Sequence, residues 1–139
     1  AVIQAILGEA PTEDLRYIPS CIYTVPEAAS VGLSEQAAMD KGFAIKTHKI
    51  LMAANARTQI DALGRGFMKL VYEEESLKLL GVHLVCGRAS DLIAEFSTHL
   101  SHGMSIPDLL RGIRPHPSFA EGVTEALEGT LGEAIHSLN

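Results

Sequence analysis

The chain has no tryptophan and two cysteines, and aromatic residues make up only 5% of its 139 positions. Each shortage closes off a class of protein. Cys21 and Cys86 stand far apart and in no paired motif of the metal-binding or redox kind. A long-range disulfide between them is open on sequence grounds, but two reduced, buried thiols in a cytoplasmic protein are the expected state. Basic residues are scattered and the formal net charge is −6, so no phosphate-tracking face is expected and nucleic acid is a poor partner. The longest apolar runs, such as Leu79–Val85, fall far short of the about 20 residues that cross a bilayer, and no membrane association is expected. Glycine-rich phosphate loops are also missing. Gly81, Gly87 and Gly103 are isolated, and Gly64-Arg65-Gly66 precedes a strand instead of linking strand to helix, so no dinucleotide site is encoded.

What is present is enough for one domain. With 47% hydrophobic residues the chain needs neither metal nor disulfide to build a core. Ala1–Leu7 is apolar but lacks the basic leader and the apolar length of a signal peptide. It reads as the last turns of a helix ended at Gly8, and a chain that opens in mid-helix without an initiator Met suggests a piece of something longer. Glu9–Pro19 is a polar, proline-bounded connector and the best candidate boundary. The expected division is therefore residues 1–17 as the end of a preceding unit and residues 18–139 as the domain.

Short β-type runs follow at Cys21–Val25 and Ala29–Leu33, and Ser34 can cap a helix over Glu35–Lys41 that Gly42 stops. Phe43–Met52 alternates as a strand. Gly66–Tyr72 and Leu77–Val85 read as an antiparallel hairpin with an acidic turn at Glu73-Glu74-Glu75-Ser76. In Ala89–His102, Leu92, Ile93, Phe96 and Leu100 share one helical face. Ser105 caps a short turn over Ile106–Arg111, with Asp108 three residues on. From Ser118 to Leu138 the spacing predicts a long helix whose stripe includes Phe119, Val123, Leu127, Leu131, Ile135 and Leu138. Strands first and helices afterwards predict an α+β fold, an antiparallel sheet with helices packed on one face.

The stretch Arg114-Pro115-His116-Pro117-Ser118-Phe119-Ala120-Glu121 carries the most chemistry. Two prolines restrain the backbone on either side of His116. Glu121 lies one helical turn past the start of the next helix, within reach of the imidazole, where a carboxylate would orient the ring and stabilise the imidazolium. The same residues also read as a capping box, the plainer reading on residue types alone, with Ser118 and Glu121 satisfying free backbone donors. Residue types and spacing leave both readings open, and one carboxylate is not expected to serve two partners fully at once. His99 and His102, three apart on a helix, could share a metal but lack a third ligand at a familiar spacing, so no metal site is expected. His48, His83 and His136 stand alone. A Cys–His nucleophile using Cys21 or Cys86 with His116 has no supporting motif.

Taken in order, five segments resemble the C-terminal interface domain of the pyridine nucleotide–disulfide oxidoreductases, over about Ile18 to Leu138. They are Ile18-Pro19-Ser20-Cys21-Ile22-Tyr23-Thr24-Val25-Pro26-Glu27-Ala28-Ala29-Ser30-Val31-Gly32, Ala54-Asn55-Ala56-Arg57, Gly66-Phe67-Met68-Lys69-Leu70, Leu80-Gly81-Val82-His83 and His116-Pro117-Ser118-Phe119-Ala120-Glu121. Tyr-Thr, then Pro-Glu, then Val-Gly looks like the dihydrolipoamide dehydrogenase branch. The resemblance implies a homodimer in which His116 and Glu121 form an acid–base pair beside the other subunit's dithiol and flavin, with the His116-Pro117 peptide against the flavin ring. It implies FAD and NAD in the parent enzyme, bound by flavin and nicotinamide domains of the same chain, and a lipoyl-bearing substrate; the stretch alone is expected to bind no cofactor and to be inactive. Residues 1–17 would then close the preceding flavin domain. Three departures stand out: Arg114 where the family often has a second histidine, Ser118 for threonine, and Cys86-Gly87-Arg88-Ala89 in place of a glycine–proline pattern. A stand-alone dimerisation module without catalysis, or the same domain of a mercuric, glutathione or transhydrogenase-type relative, is the alternative.

Overall fold

The computed structural model describes residues 1–64 and 66–136. Five strands form one antiparallel sheet: β1 (Ser20–Ile22), β2 (Glu27–Gly32), β3 (Ile45–Leu51), β4 (Phe67–Glu73) and β5 (Leu79–Cys86), in the order β1-β2-β5-β4-β3. The β4–β5 hairpin sits at the centre because its two strands carry apolar residues on both faces. Met68, Leu70, Val82 and Leu84 face the main core, whereas Val71 and Leu80 face the opposite side. Burying side chains of this size contributes roughly 1.5–3 kcal/mol each.

Two longer helices cover the main-core face. Helix α4 (Ala89–Ser101) lies over β2 and β5 and buries Leu92, Ile93, Phe96 and Leu100, the stripe expected from the spacing. Helix α6 (Glu121–Leu131) lies over β3 and β4 and buries Val123, Ala126 and Leu127. Between them, the short α5 (Ile106–Leu110) is started by a capping box in which Ser105 and Asp108 satisfy each other's backbone donors. The α+β architecture is thus the one anticipated. One short helix, α2 (Glu35–Asp40), departs from the one-face arrangement. It packs Ala38 against Val71 and Leu80 on the opposite face, and Glu35 pairs there with Lys69. Two further short helices are α1 (Val2–Ile6), whose Val2, Ile3 and Ile6 are all exposed, and α3 (Ala56–Ile60), which the sequence reading did not anticipate.

The last helix is shorter than its apolar stripe suggests. Gly132 adopts the left-handed conformation (φ 78°), and the Glu133 amide donates to the Glu128 carbonyl at 3.0 Å, which closes the helix and turns the chain back. Ile135 is consequently exposed rather than part of the stripe, and Leu138, like Arg65 of the Gly-Arg-Gly triplet, lies outside the described residues. Among the described residues, no helix is long and apolar enough to cross a membrane. Both cysteines are free thiols, and burial pushes the Cys86 thiol up to about 12.

The contact of α6 with β3 is close enough to require glycine. A Cβ added at Gly129 would sit 2.0 Å from Nε2 of His48, an imidazole on β3 that faces the helix. Gly129→Ala is therefore expected to destabilise the fold by about 1–3 kcal/mol, the usual cost of overpacking. Urea unfolding of the single variant and of the Gly129→Ala, His48→Ala pair checks this: the pair should recover part of the loss, and equal midpoints for parent and single variant would refute the contact.

Candidate functional site

A strap of turns and irregular chain, residues 111–120, connects α5 to α6. Its base is pinned by Arg114, whose guanidinium is nearly buried and donates to Glu95 on α4 and to Thr124 on α6. Arg114 therefore ties the two longer helices together at a position where the family resemblance suggests a histidine. Further along, Asn55 at the start of α3 donates from Nδ2 to the Ser118 carbonyl at 2.9 Å, while its Oδ1 accepts from the Thr58 amide at 3.0 Å and caps α3. One asparagine thus fixes both the unanticipated helix and the strap. The His116-Pro117 peptide between these anchors is cis.

His116 and Glu121 meet. Nδ1 of His116 lies 2.6 Å from Oε1 of Glu121, with the imidazole 73% exposed and the carboxylate 28% exposed. The other carboxylate oxygen, Oε2, accepts from the Ser118 amide at 3.0 Å, and Ser118 Oγ accepts in return from the Glu121 amide at 3.3 Å. The capping box and the His–Glu pair therefore coexist, each using its own oxygen. The expectation that a single carboxylate cannot serve both is corrected: the strap presents the amide and the ring to opposite oxygens of one planar group. Because an ionised carboxylate only accepts, Nδ1 carries a proton, and in the neutral form of the ring Nε2 is the nitrogen with the lone pair. The Ser118 amide, followed by the His116 ring, holds the Glu121 carboxyl below the usual carboxylate range.

The pair opens onto a cleft of about 140 Å³ between α6, β3 and α3. Ile50, Leu51, Ala54 and Ala56 contribute apolar walls, and His116, Glu121, Glu125 and His136 are its titratable residues. His136, read from sequence as solitary, is paired: its Nδ1 lies 2.7 Å from Glu125 Oε1 and its amide donates to Glu125 Oε2 at 3.2 Å. Nothing in the linear spacing of 11 residues signals this contact, which depends on the left-handed turn at Gly132. The remaining candidates lie elsewhere. His99 on α4 and His102 at its C-terminal cap do not line the cleft, and no group of three or more potential metal ligands occurs among the described residues. Cys86 is buried in the main core, and Cys21 packs against it from the edge strand, so neither thiol meets His116. Glu27 of the Pro-Glu segment has a structural task, accepting from the amide and the hydroxyl of Ser90 (2.9 and 2.7 Å) and capping α4, which has no cap of its own.

The chain as a whole matches known proteins over nearly its entire length. Residues 18–127 fit the family described as "Pyridine nucleotide-disulphide oxidoreductase, dimerisation domain". The chain belongs to this family. Among curated relatives, the dihydrolipoyl dehydrogenase of Haloferax volcanii is 36% identical over 134 residues, covering 96% of this chain and 28% of that protein. The dihydrolipoyl dehydrogenase of Thermus scotoductus is 40% identical over 122 residues, 88% of this chain and 26% of that one. The chain therefore spans little more than a quarter of the length of either relative. Among solved structures, the HOCl-induced flavoprotein disulfide reductase RclA of Escherichia coli superposes with a TM-score of 0.83 at 24% identity, over 91% of this chain and 30% of that one. LpdA of Mycobacterium tuberculosis gives 0.81 at 24% identity, over 93% and 28%. At that identity the structures establish the fold.

The shared carboxylate has a consequence for acid stability. A carboxyl whose folded pKa is depressed adds stability above its unfolded pKa, near 4.3, and loses it as the pH falls through the folded value. Glu121→Gln is thus expected to unfold at a lower denaturant concentration than the parent at pH 6, with the gap narrowing as the pH falls below the unfolded carboxylate value, giving a flatter acid limb. An acid limb parallel to that of the parent protein would mean that the carboxylate does not hold the strap.

Proposed function

We propose that this chain is the C-terminal dimerisation domain of a dihydrolipoamide dehydrogenase-type flavoprotein, and that His116 and Glu121 supply the acid–base pair to the partner subunit's dithiol site. The observation that carries the reading is the 2.6 Å contact of His116 Nδ1 with Glu121, which leaves Nε2 on an imidazole that is 73% exposed. A thiol brought to Nε2 transfers its proton to the ring, and the sulfur becomes the thiolate that thiol–disulfide exchange requires. The imidazolium so formed is stabilised by the adjacent carboxylate, which the Ser118 amide keeps ionised. On the return step the ring donates the same proton to a departing thiolate.

FAD and NAD belong to the remainder of the parent protein, because this sequence has no glycine-rich loop to hold a pyrophosphate. The His116-Pro117 peptide would lie against the flavin ring of the partner subunit: the imidazole is exposed, and Pro117 lines an open surface with Arg57, Asp61, Arg88, Ser118 and Phe119. When bound, the flavin supplies the two-electron oxidation of the dithiol and the nicotinamide the final acceptor. Residues 1–17 are assigned to the end of the preceding flavin domain, since Val2, Ile3, Ile6 and Leu7 expose apolar surface and the family match begins at residue 18. The parent protein is a homodimer in this reading, with an interface of the order of 2,000 Å² or more, as obligate pairs require. A lipoyl-bearing substrate is supported by the names of the relatives.

Two measurements test the proposal. In the full-length protein, His116→Gln should lower the rate of dihydrolipoamide oxidation by ~10²–10⁴ while leaving the dimer intact in sedimentation. Turnover equal to that of the parent would remove His116 from the chemistry. The isolated 139-residue chain should show no dihydrolipoamide oxidation; activity without added flavin domain would overturn the division of labour.

A further inference from the structure

The cleft beside His116 holds a second His–Glu pair built like the first. Glu121 divides its oxygens between an imidazole and the Ser118 amide, and Glu125 divides its own between the His136 imidazole and the His136 amide. The two glutamates are four residues apart on α6, so they stand one above the other on the same face. Two carboxylates so placed repel, and repulsion raises the cost of keeping Glu121 ionised beside His116. His136 is where a compensating charge would have to be, at the rim of the cleft that both glutamates line. Resting on the reading of His116 as an acid–base, we propose that His136 is a positioning residue of that pair: anchored by Glu125, it offsets the second carboxylate so that His116 faces the charge of Glu121 alone.

Several observations support the assignment. The chain must reverse sharply at Gly132 to bring His136 back over α6, and both oxygens of Glu125 are used to receive it. The Glu125 contact pushes the His136 imidazole towards its protonated form, with Glu121 adding in the same direction, and His136 in turn helps to lower Glu121. The titratable groups facing His136 in the cleft are Glu121 and Glu125 on α6 and His116 on the strap; β3 and α3 contribute Ile50, Leu51, Asn55 and Ala56, which do not titrate. His136 is 63% exposed, so its influence acts through solvent and is sensitive to salt.

The sign of the effect follows from the charges. Replacing His136 by a neutral side chain leaves Glu125 uncompensated, puts a second negative charge near His116, and makes its ring more basic. In the full-length dimer, His136→Gln should displace the ionisation of the catalytic base in the pH profile of kcat/KM upward by roughly 0.3–0.5 pH unit at low ionic strength, the size expected for one charge acting across a water-like medium. At about 1 M salt the displacement should shrink to near zero. His136→Lys, which restores a positive charge, should return the profile towards that of the parent. A residue that merely folds the segment after Gly132 back onto α6 would alter turnover at all pH values alike and would not be rescued by lysine. Profiles of His136→Gln and parent that superimpose at low salt, or a displacement that lysine does not reverse, would overturn the inference. The reading of His116 is tested separately: if His116→Gln abolishes turnover and His136→Gln leaves the profile in place, only the role of His136 fails.

Discussion

The carboxylate of Glu121 is the point on which the site depends. It stands in the first turn of α6 and accepts from the amide of Ser118 with one oxygen and faces the ring of His116 with the other. The first contact is a helix cap, common in proteins and worth ~1 kcal/mol. The second is an orientation device for an imidazole. Because one planar group makes both, the backbone that starts the helix also determines which ring nitrogen carries a proton. Stability and proton chemistry are joined in a single residue, so the strap cannot loosen without releasing the imidazole.

The rest of the fold supports that carboxylate from three sides. From below, β3 and β4 carry α6, and Gly129 lets the helix settle onto His48 of β3. From behind, Arg114 joins α4 and α6 at the base of the strap. From the side, Asn55 holds the Ser118 carbonyl while starting a helix of its own. Each of these contacts limits one direction in which His116 could drift. A rigid support of this kind suits a residue that must meet a reaction centre held by another molecule, since a positioned acid–base loses its advantage when the ring wanders.

The family assignment and the site reading rest on different grounds. The match to the dimerisation-domain family and the superposition on flavoprotein disulfide reductases concern the sheet, the helices and their order. The acid–base reading rests on one short contact and one exposed imidazole. The second pair, Glu125 with His136, extends the site along α6 into a row of two carboxylates and two imidazoles around one cleft. In the proposed reading, such a row lets charge be balanced locally, and the first pair is tuned from outside its own contact.

Local patterns determined much of this protein in advance. The β4–β5 hairpin, the buried stripe of α4, the Ser34 and Ser105 caps and the proline-bounded His116 were all legible, because each depends on neighbours within about one turn or one strand pair. Tertiary structure decided the remainder. The packing of α2 on the far face depends on Ala38 meeting Val71 and Leu80, residues remote in sequence. Glu27 caps α4 from 63 positions away, and Asn55 reaches Ser118 across the same separation. The end of α6 was misread because an apolar stripe records which side chains can be buried, whereas Gly132 in a left-handed turn decides where the chain leaves the helix. Whether Glu121 caps or orients was undecidable from spacing for the same reason: the answer lies in the directions its two oxygens face, and only the path of the folded strap supplies those directions.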